Sequence, residues 1–284
     1  MLTAMLKGAR TVFTAGSLAS SLSAYVRSLS RKSRIVTRFL ERRMVVICAL
    51  WLAVTLSLAN FRLAFPASPI HDFADAIPML LGYSLVIASP IVGFLVATHA
   101  FKGAAATLQP SFRFALVGRW RKLSASDARA QSMFGPVGFM ASLLVGMLLN
   151  VVIRTLEFFA AVPAMSNHAP AWAQAMFAWM ALDVVVTGFF YMAAFAMALR
   201  TIPLFPRMLL FAWLIDVSMQ MLIARQLAAV GGMPDMVVQP LLTLLDGNIT
   251  KVAISAVIWL PYLLLSERVN VTYRHRTDPR LAAD

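Results

Sequence analysis

The chain has 284 residues, of which 60% are hydrophobic and only 13% charged, and it carries a formal net charge of +13. That mixture excludes an ordinary water-soluble domain and fits a chain whose solvent is lipid. A single cysteine, Cys48, excludes an internal disulfide, and its place within an apolar run makes it a small apolar filler.

Residues 1–43 are rich in Ser and Arg and have no acidic residue before Glu41. The apolar stretch from Thr11 to Tyr25 is interrupted by Ser17, Ser20, Ser21 and Ser23, and a basic cluster follows it where a signal peptide would place a cleavage site. A basic amphipathic helix on the cytoplasmic leaflet, with Leu2, Met5, Leu6, Val12 and Phe13 toward lipid, accounts for the segment better, with disorder as the alternative.

Six apolar spans follow, at 44–65, 77–101, 136–158, 172–199, 204–228 and 249–266. Each is near or above the ~20 residues that a helix needs to cross ~30 Å of hydrocarbon. Basic residues crowd the segments before the first span, between the second and third (Lys102 to Arg129), around Arg200 and Arg207, and after the sixth. The positive-inside rule then gives an all-α polytopic membrane protein with six transmembrane helices and both termini cytoplasmic. Asn167 and Asn248 are expected outside, and Ser126 and Ala283 in the cytoplasm. Basic loops beside anionic headgroups, at ~1 kcal/mol per residue, account for the net charge without nucleic acid as a partner.

The expected organisation is a cytoplasmic segment (1–43), a transmembrane hairpin (44–101), a basic cytoplasmic loop (102–133), a four-helix transmembrane domain (134–276) and a short tail (277–284). The hairpin turns at Pro66 to Pro69 and Asp72. In the basic loop, Trp120 between Arg119 and Arg121, with Phe112 and Phe114 nearby, suits the membrane interface. No internal repeat signals an inverted-repeat transporter.

In the third span Gly138, Ser142, Gly146, Asn150 and Arg154 recur every fourth residue and so form one stripe. Small residues at this spacing admit a neighbouring backbone, so bulk at Gly146 is expected to disturb packing more than bulk at Leu148. Toward the outer end the stripe turns polar, and Glu157 is within reach of Arg154.

Asp183 in the fourth span and Asp216 in the fifth lie level, both ~17 Å deep at ~1.5 Å per residue. A carboxylate there costs at least ~2.5 kcal/mol on insertion scales, so it faces the bundle interior with a partner or a function. Thr187 and Gln220 each follow one turn later. Three readings compete: a structural cluster with Asn150, Arg154, Thr187 and Gln220, a proton- or cation-carrying pair, and an intramembrane aspartyl dyad. No catalytic context accompanies the last. The four His residues fall in separate loops or ends, with only His71 and Asp75 as a loose outer pair, and no metal or phosphate-loop motif implies a cofactor.

The last span ends in Ile258-Trp259-Leu260-Pro261-Tyr262-Leu263-Leu264-Leu265-Ser266-Glu267-Arg268-Val269-Asn270-Val271-Thr272-Tyr273, and an earlier helix opens at Leu204-Phe205-Pro206-Arg207. Over about residues 134–276 this resembles a bacterial membrane family, domain of unknown function 2569, with Glu267 where the family has Lys. The resemblance implies a bacterial inner membrane and a fold, and no mechanism. Read physically, Pro261 loosens the last turns, Trp259 and Tyr262 suit the headgroup boundary, and Ser266, Arg268 and Asn270 are candidates for a lipid headgroup contact. The expectation is therefore a non-enzymatic scaffold or partner subunit of another envelope protein, or a homo-oligomer. The alternative is a small transporter or proton- or cation-coupled channel component using Asp183 and Asp216.

Overall fold

A computed structural model describes residues 15–103, 108–111 and 119–279, with side chains from residue 33 onward. Leu2, Met5, Leu6, Val12, Phe13, Phe112, Phe114 and Ala283 lie outside the described residues. The described chain forms α1 (Ala15–Ala64), α2 (Phe73–Ala100), β1 (Arg121–Lys122), α3 (Ala125–Ala130), α4 (Phe139–Ala161), α5 (Ala171–Leu199), α6 (Phe205–Val230), α7 (Asp235–Leu265), α8 (Glu267–Arg274) and β2 (Arg276–Thr277). Six helices, α1, α2 and α4 to α7, are long and apolar enough to cross a membrane. The protein is all-α and polytopic.

Two helix starts differ from the sequence expectation. α1 runs unbroken through residue 43, because no Gly or Pro after Gly16 interrupts it, so the boundary between a peripheral segment and the first span has no structural counterpart. α7 begins at Asp235 instead of 249. The Asp246-Gly247-Asn248 run resembles a turn by composition, yet it lies inside α7, and Asn248 is 3% exposed. Asn248 is therefore an interior residue, and the outer connection to α6 is the short segment Gly231–Pro234.

α5 is the axis of the bundle. Its most apolar stretch is 72% buried, against 17% for α1 and for α7, and it packs on α2, α4 and α6. The hairpin is consequently not a separate unit, since α2 lies along α5 and shares its core. Glycines make that approach possible: a Cβ on Gly93 would sit 2.3 Å from the Phe189 backbone oxygen, and one on Gly82 would sit 2.8 Å from the Phe177 ring. Beside them Pro90 meets Gly188, and the Ser89 hydroxyl donates to the Val185 carbonyl, giving the interrupted helix a cross-helix bond.

The stripe on α4 does something else. Gly138 precedes the helix with φ 68°, where glycine is favoured, while Ser142 and Gly146 are exposed and nothing lies within 4 Å of a Cβ placed on Gly146. The four-residue period drifts around the helix, so the exposed Ser142 and Gly146 make no close backbone contact while Arg154, further along, is buried.

At the basic end, β1 pairs antiparallel with β2, Arg121 opposite Thr277 and Lys122 opposite Arg276. The Arg276 guanidinium stands 5.0 Å from the Trp120 ring centroid. The basic loop and the C-terminal segment, separate by sequence, are thus joined. On the opposite face, Arg62 at the end of α1 donates to the Phe159 carbonyl and, at 2.7 Å, to that of Ala160, filling acceptors that the last turn of α4 leaves open.

Two predictions follow from this arrangement. Gly93→Ala should lower thermal stability by about 1–3 kcal/mol through overpacking, whereas Gly146→Ala should be neutral or raise it by up to ~1 kcal/mol through helix propensity, as read by unfolding in detergent. Cysteines at Asn167 and Asp235 should react with an impermeant thiol reagent from one side of the membrane, and one at Ser126 only from the other, in a Cys48→Ser background. Labelling of all three from one side would break the six-span arrangement.

Candidate functional site: a buried polar layer

The packed interior contains two apolar clusters. One gathers Met140 to Val151, Tyr191 to Trp213, Val252 and Leu263 toward the basic end, and the other gathers Ala59, Met79 to Ile87, Phe158 to Ala164, Met176 to Val184 and Ile223 to Leu245. Between them, on four successive helices, lie Arg154, Asp183, Asp216, Gln220 and Asn248.

Arg154 on α4 grips both aspartates. Its Nη2 donates to Asp183 Oδ2 at 2.8 Å and Oδ1 at 3.1 Å, its Nε to Oδ2 at 3.2 Å, and its Nη1 lies 2.8 Å from Asp216 Oδ1. The planar guanidinium is suited to this, since it presents a fork toward one carboxylate and keeps a further nitrogen for the second. Tyr191, two turns after Asp183 on α5, donates its hydroxyl to Asp216 Oδ2 at 2.9 Å. Gln220, one turn after Asp216 on α6, donates to Asp183 Oδ1 at 2.9 Å. Its own oxygen accepts from Asn248 Nδ2 at 3.2 Å, which carries the network onto α7. Asp183 is 1% exposed, Asp216 0% and Arg154 7%, so all three side chains lie in the interior of the bundle.

The sequence brings most of this set together but misassigns some partners. Thr187 is buried, yet its hydroxyl bonds the Asp183 backbone oxygen at 2.7 Å and not the carboxylate. Asn150 lines a cavity of about 140 Å³ with Gly146, Tyr191, Lys251 and Ser255, between α4, α6 and α7. Glu157 does not pair with Arg154. It takes Lys251 of α7 at 2.5 Å, because Arg154 is drawn inward by two carboxylates. Tyr191, Asn248 and Lys251 escape a sequence reading centred on acidic residues. The signals available for them were the four- and eight-residue offsets of Thr187 and Tyr191 from Asp183, and a polar residue in the middle of α7.

The headgroup candidates separate as well. Asn270 is fully buried and cannot face lipid. Its amide nitrogen donates to Ser266 and Leu264 carbonyls at 2.9 Å and 3.3 Å, bracing the break between α7 and α8. Arg268 reaches the Met133 carbonyl at 3.0 Å, and Ser266 forms the junction itself. The outer histidines meet at Asp75, where His168 Nε2 stands 3.0 Å from Oδ2 while His71 contributes only its backbone N–H at 2.9 Å. The pair anticipated for His71 is therefore made by His168.

No family model, curated protein or solved structure matches the chain.

Two carboxylates and one guanidinium sum to a single excess negative charge when both acids are ionised. One proton within the cluster makes it neutral, and Tyr191, Gln220 and Asn248 supply neutral hydrogen bonds in either state. Because the site is buried, removing the cation strands both acids. Arg154→Met should destabilise the protein by about 3–5 kcal/mol, measured by unfolding in detergent. A loss below ~1 kcal/mol would show that the bridge does not hold the helices together.

Proposed function

We propose that this is a non-enzymatic integral membrane protein acting through its helix surfaces, as a scaffold or partner subunit of another envelope protein. The Arg154–Asp183–Asp216 bridge fixes its shape. The observation that supports this reading is the burial of the network: Asp183, Gln220 and Asn248 are buried and hydrogen-bonded to one another or to Arg154, and the buried Asp216 is ion-paired with Arg154 and accepts from Tyr191. A proton or cation carrier requires a hydrated route to its acids from both sides, and a lock does not. α1 and α7, whose apolar stretches are only 17% buried, leave long faces for lipid or a second protein, among them Val45, Leu50, Ile254 and Val257. Placement in a bacterial inner membrane is part of the same proposal and rests on the resemblance of the 134–276 sequence motifs alone.

One observation favours the alternative of a transporter or channel component. The cavity bordered by Asn150, Lys251 and Ser255 also touches Tyr191, which is one hydrogen bond from Asp216. Protonation of that carboxylate is the step such a protein would use, since one proton balances the excess charge.

Variants at the acids discriminate. As a lock, Asp183→Asn and Asp216→Asn keep most of the fold because the amide oxygen still accepts from Gln220 or Tyr191, while Leu at either position strands those donors at ~1–3 kcal/mol each. Thermal stability and abundance in membranes should therefore fall together in the Leu variants and stay near wild type in the Asn variants, and liposomes carrying wild type should show no proton or cation flux above protein-free liposomes. A robust wild-type flux abolished by either Asn variant with stability unchanged would replace the scaffold with a transporter.

A further inference from the structure

A second concentration of charge lies at the basic end, away from the buried bridge. Arg207 in the first turn of α6, Arg274 at the end of α8 and Arg276 in β2 line one cavity of about 90 Å³ with Gln109. Its other walls include Leu210 and Leu260, which lie deeper along α6 and α7. None of its lining residues is acidic.

Two of these cations are held in place by one neutral atom. Asn270 Oδ1 accepts from Arg274 Nη1 at 2.9 Å and from Arg276 Nε at 2.7 Å, and Asn270 is itself fixed to the carbonyls that end α7. Arg274 also donates to the Leu264 carbonyl at 3.2 Å. Burial, with the Arg276 and Arg207 cations nearby, pushes Arg274 down to about 10. Three guanidinium groups thus border one small cavity, where the oxygens of a single anion could accept from more than one of them. Guanidinium forks match the tetrahedral oxygens of phosphate and bind them by charge-assisted bonds.

We propose that the cavity formed by Arg207, Arg274 and Arg276 binds a single phosphate group at the basic membrane surface. A cavity of about 90 Å³ has room for one such group. The source is either the phosphodiester of an anionic lipid, whose acyl chains would run past Leu210 and Leu260, or free inorganic phosphate. The site differs from the Ser266–Arg268–Asn270 contact expected from sequence, because Asn270 positions the arginines from inside instead of meeting the ligand. It stands independently of the role of the Arg154 bridge.

The test uses delipidated full-length protein in neutral detergent. Binding is read as a thermal shift and by native mass spectrometry on titration with phosphatidylglycerol, with phosphatidylcholine, and with inorganic phosphate alone. Phosphatidylglycerol binding with little response to inorganic phosphate assigns the site to lipid, and saturable stabilisation by inorganic phosphate assigns it to the free ion. Either result supports the site provided that Arg207→Gln weakens binding about tenfold, the factor expected for one charge-assisted bond. Arg207→Gln leaves the Asn270 bonds intact, and Arg274→Gln serves as a second variant whose fold is checked by size exclusion. Arg200→Gln, an exposed cation outside the cavity, should bind within about twofold of wild type. No binding by either phosphate source, or equal losses in Arg200→Gln and Arg207→Gln, would overturn the proposal.

Discussion

One guanidinium holding two carboxylates on neighbouring helices is the constraint around which this bundle is built. Arg154 comes from α4, Asp183 from α5 and Asp216 from α6, so a single bridge fixes three helices in axial register as well as in rotation. Apolar packing alone leaves helices in lipid free to slide, because the hydrocarbon outside is as apolar as the side chains inside. A buried charge cannot slide away from its partners at comparable cost. Gln220 and Asn248 extend the same register to α7, which explains why that helix keeps polar residues at mid-depth despite being sparsely buried.

The register set by the bridge positions a second, apolar contact. With α5 held centrally, α2 approaches closely enough that Gly93 meets the Phe189 backbone and Gly82 lies under the Phe177 ring. The bridge supplies specificity and the glycine contact supplies close packing. On the outer face the Ser68 and Ser166 hydroxyls meet at 2.9 Å, tying the turn of the hairpin to the segment between α4 and α5. At the other end the β1–β2 pair closes the structure.

The membrane class and the six spans were legible from hydropathy, because a lipid-spanning helix must be almost continuously apolar. Asp183 and Asp216 were legible for the same reason, as departures from that rule. Partner choice was less so. Arg154 and Glu157 are three residues apart and suit one another locally, but each finds a partner on another helix, and helical spacing carries no information about rotation. The start of α7 was obscured because Asp246, Gly247 and Asn248 resemble a turn in composition, whereas Asn248 is retained in the helix by a bond to Gln220. The exposed Gly146 and the buried Gly93 are indistinguishable by residue type alone, and only the neighbouring backbone separates them. The Asn270 junction depends on the one-residue break at Ser266 between α7 and α8, which no periodicity announces.

α1 has a geometric consequence of its own. Fifty residues in one helix amount to about 75 Å, more than twice the ~30 Å of hydrocarbon it crosses. Near the bilayer boundary its Ser33 hydroxyl accepts from the Gly138 N–H at 2.7 Å, and Leu40 and Met44 pack into the core. Beyond that bond the helix continues for about 27 Å along its axis, from Ser33 to Ala15. A lateral load at Ala15 would therefore reach the start of α4 as a torque that grows with the length of this arm.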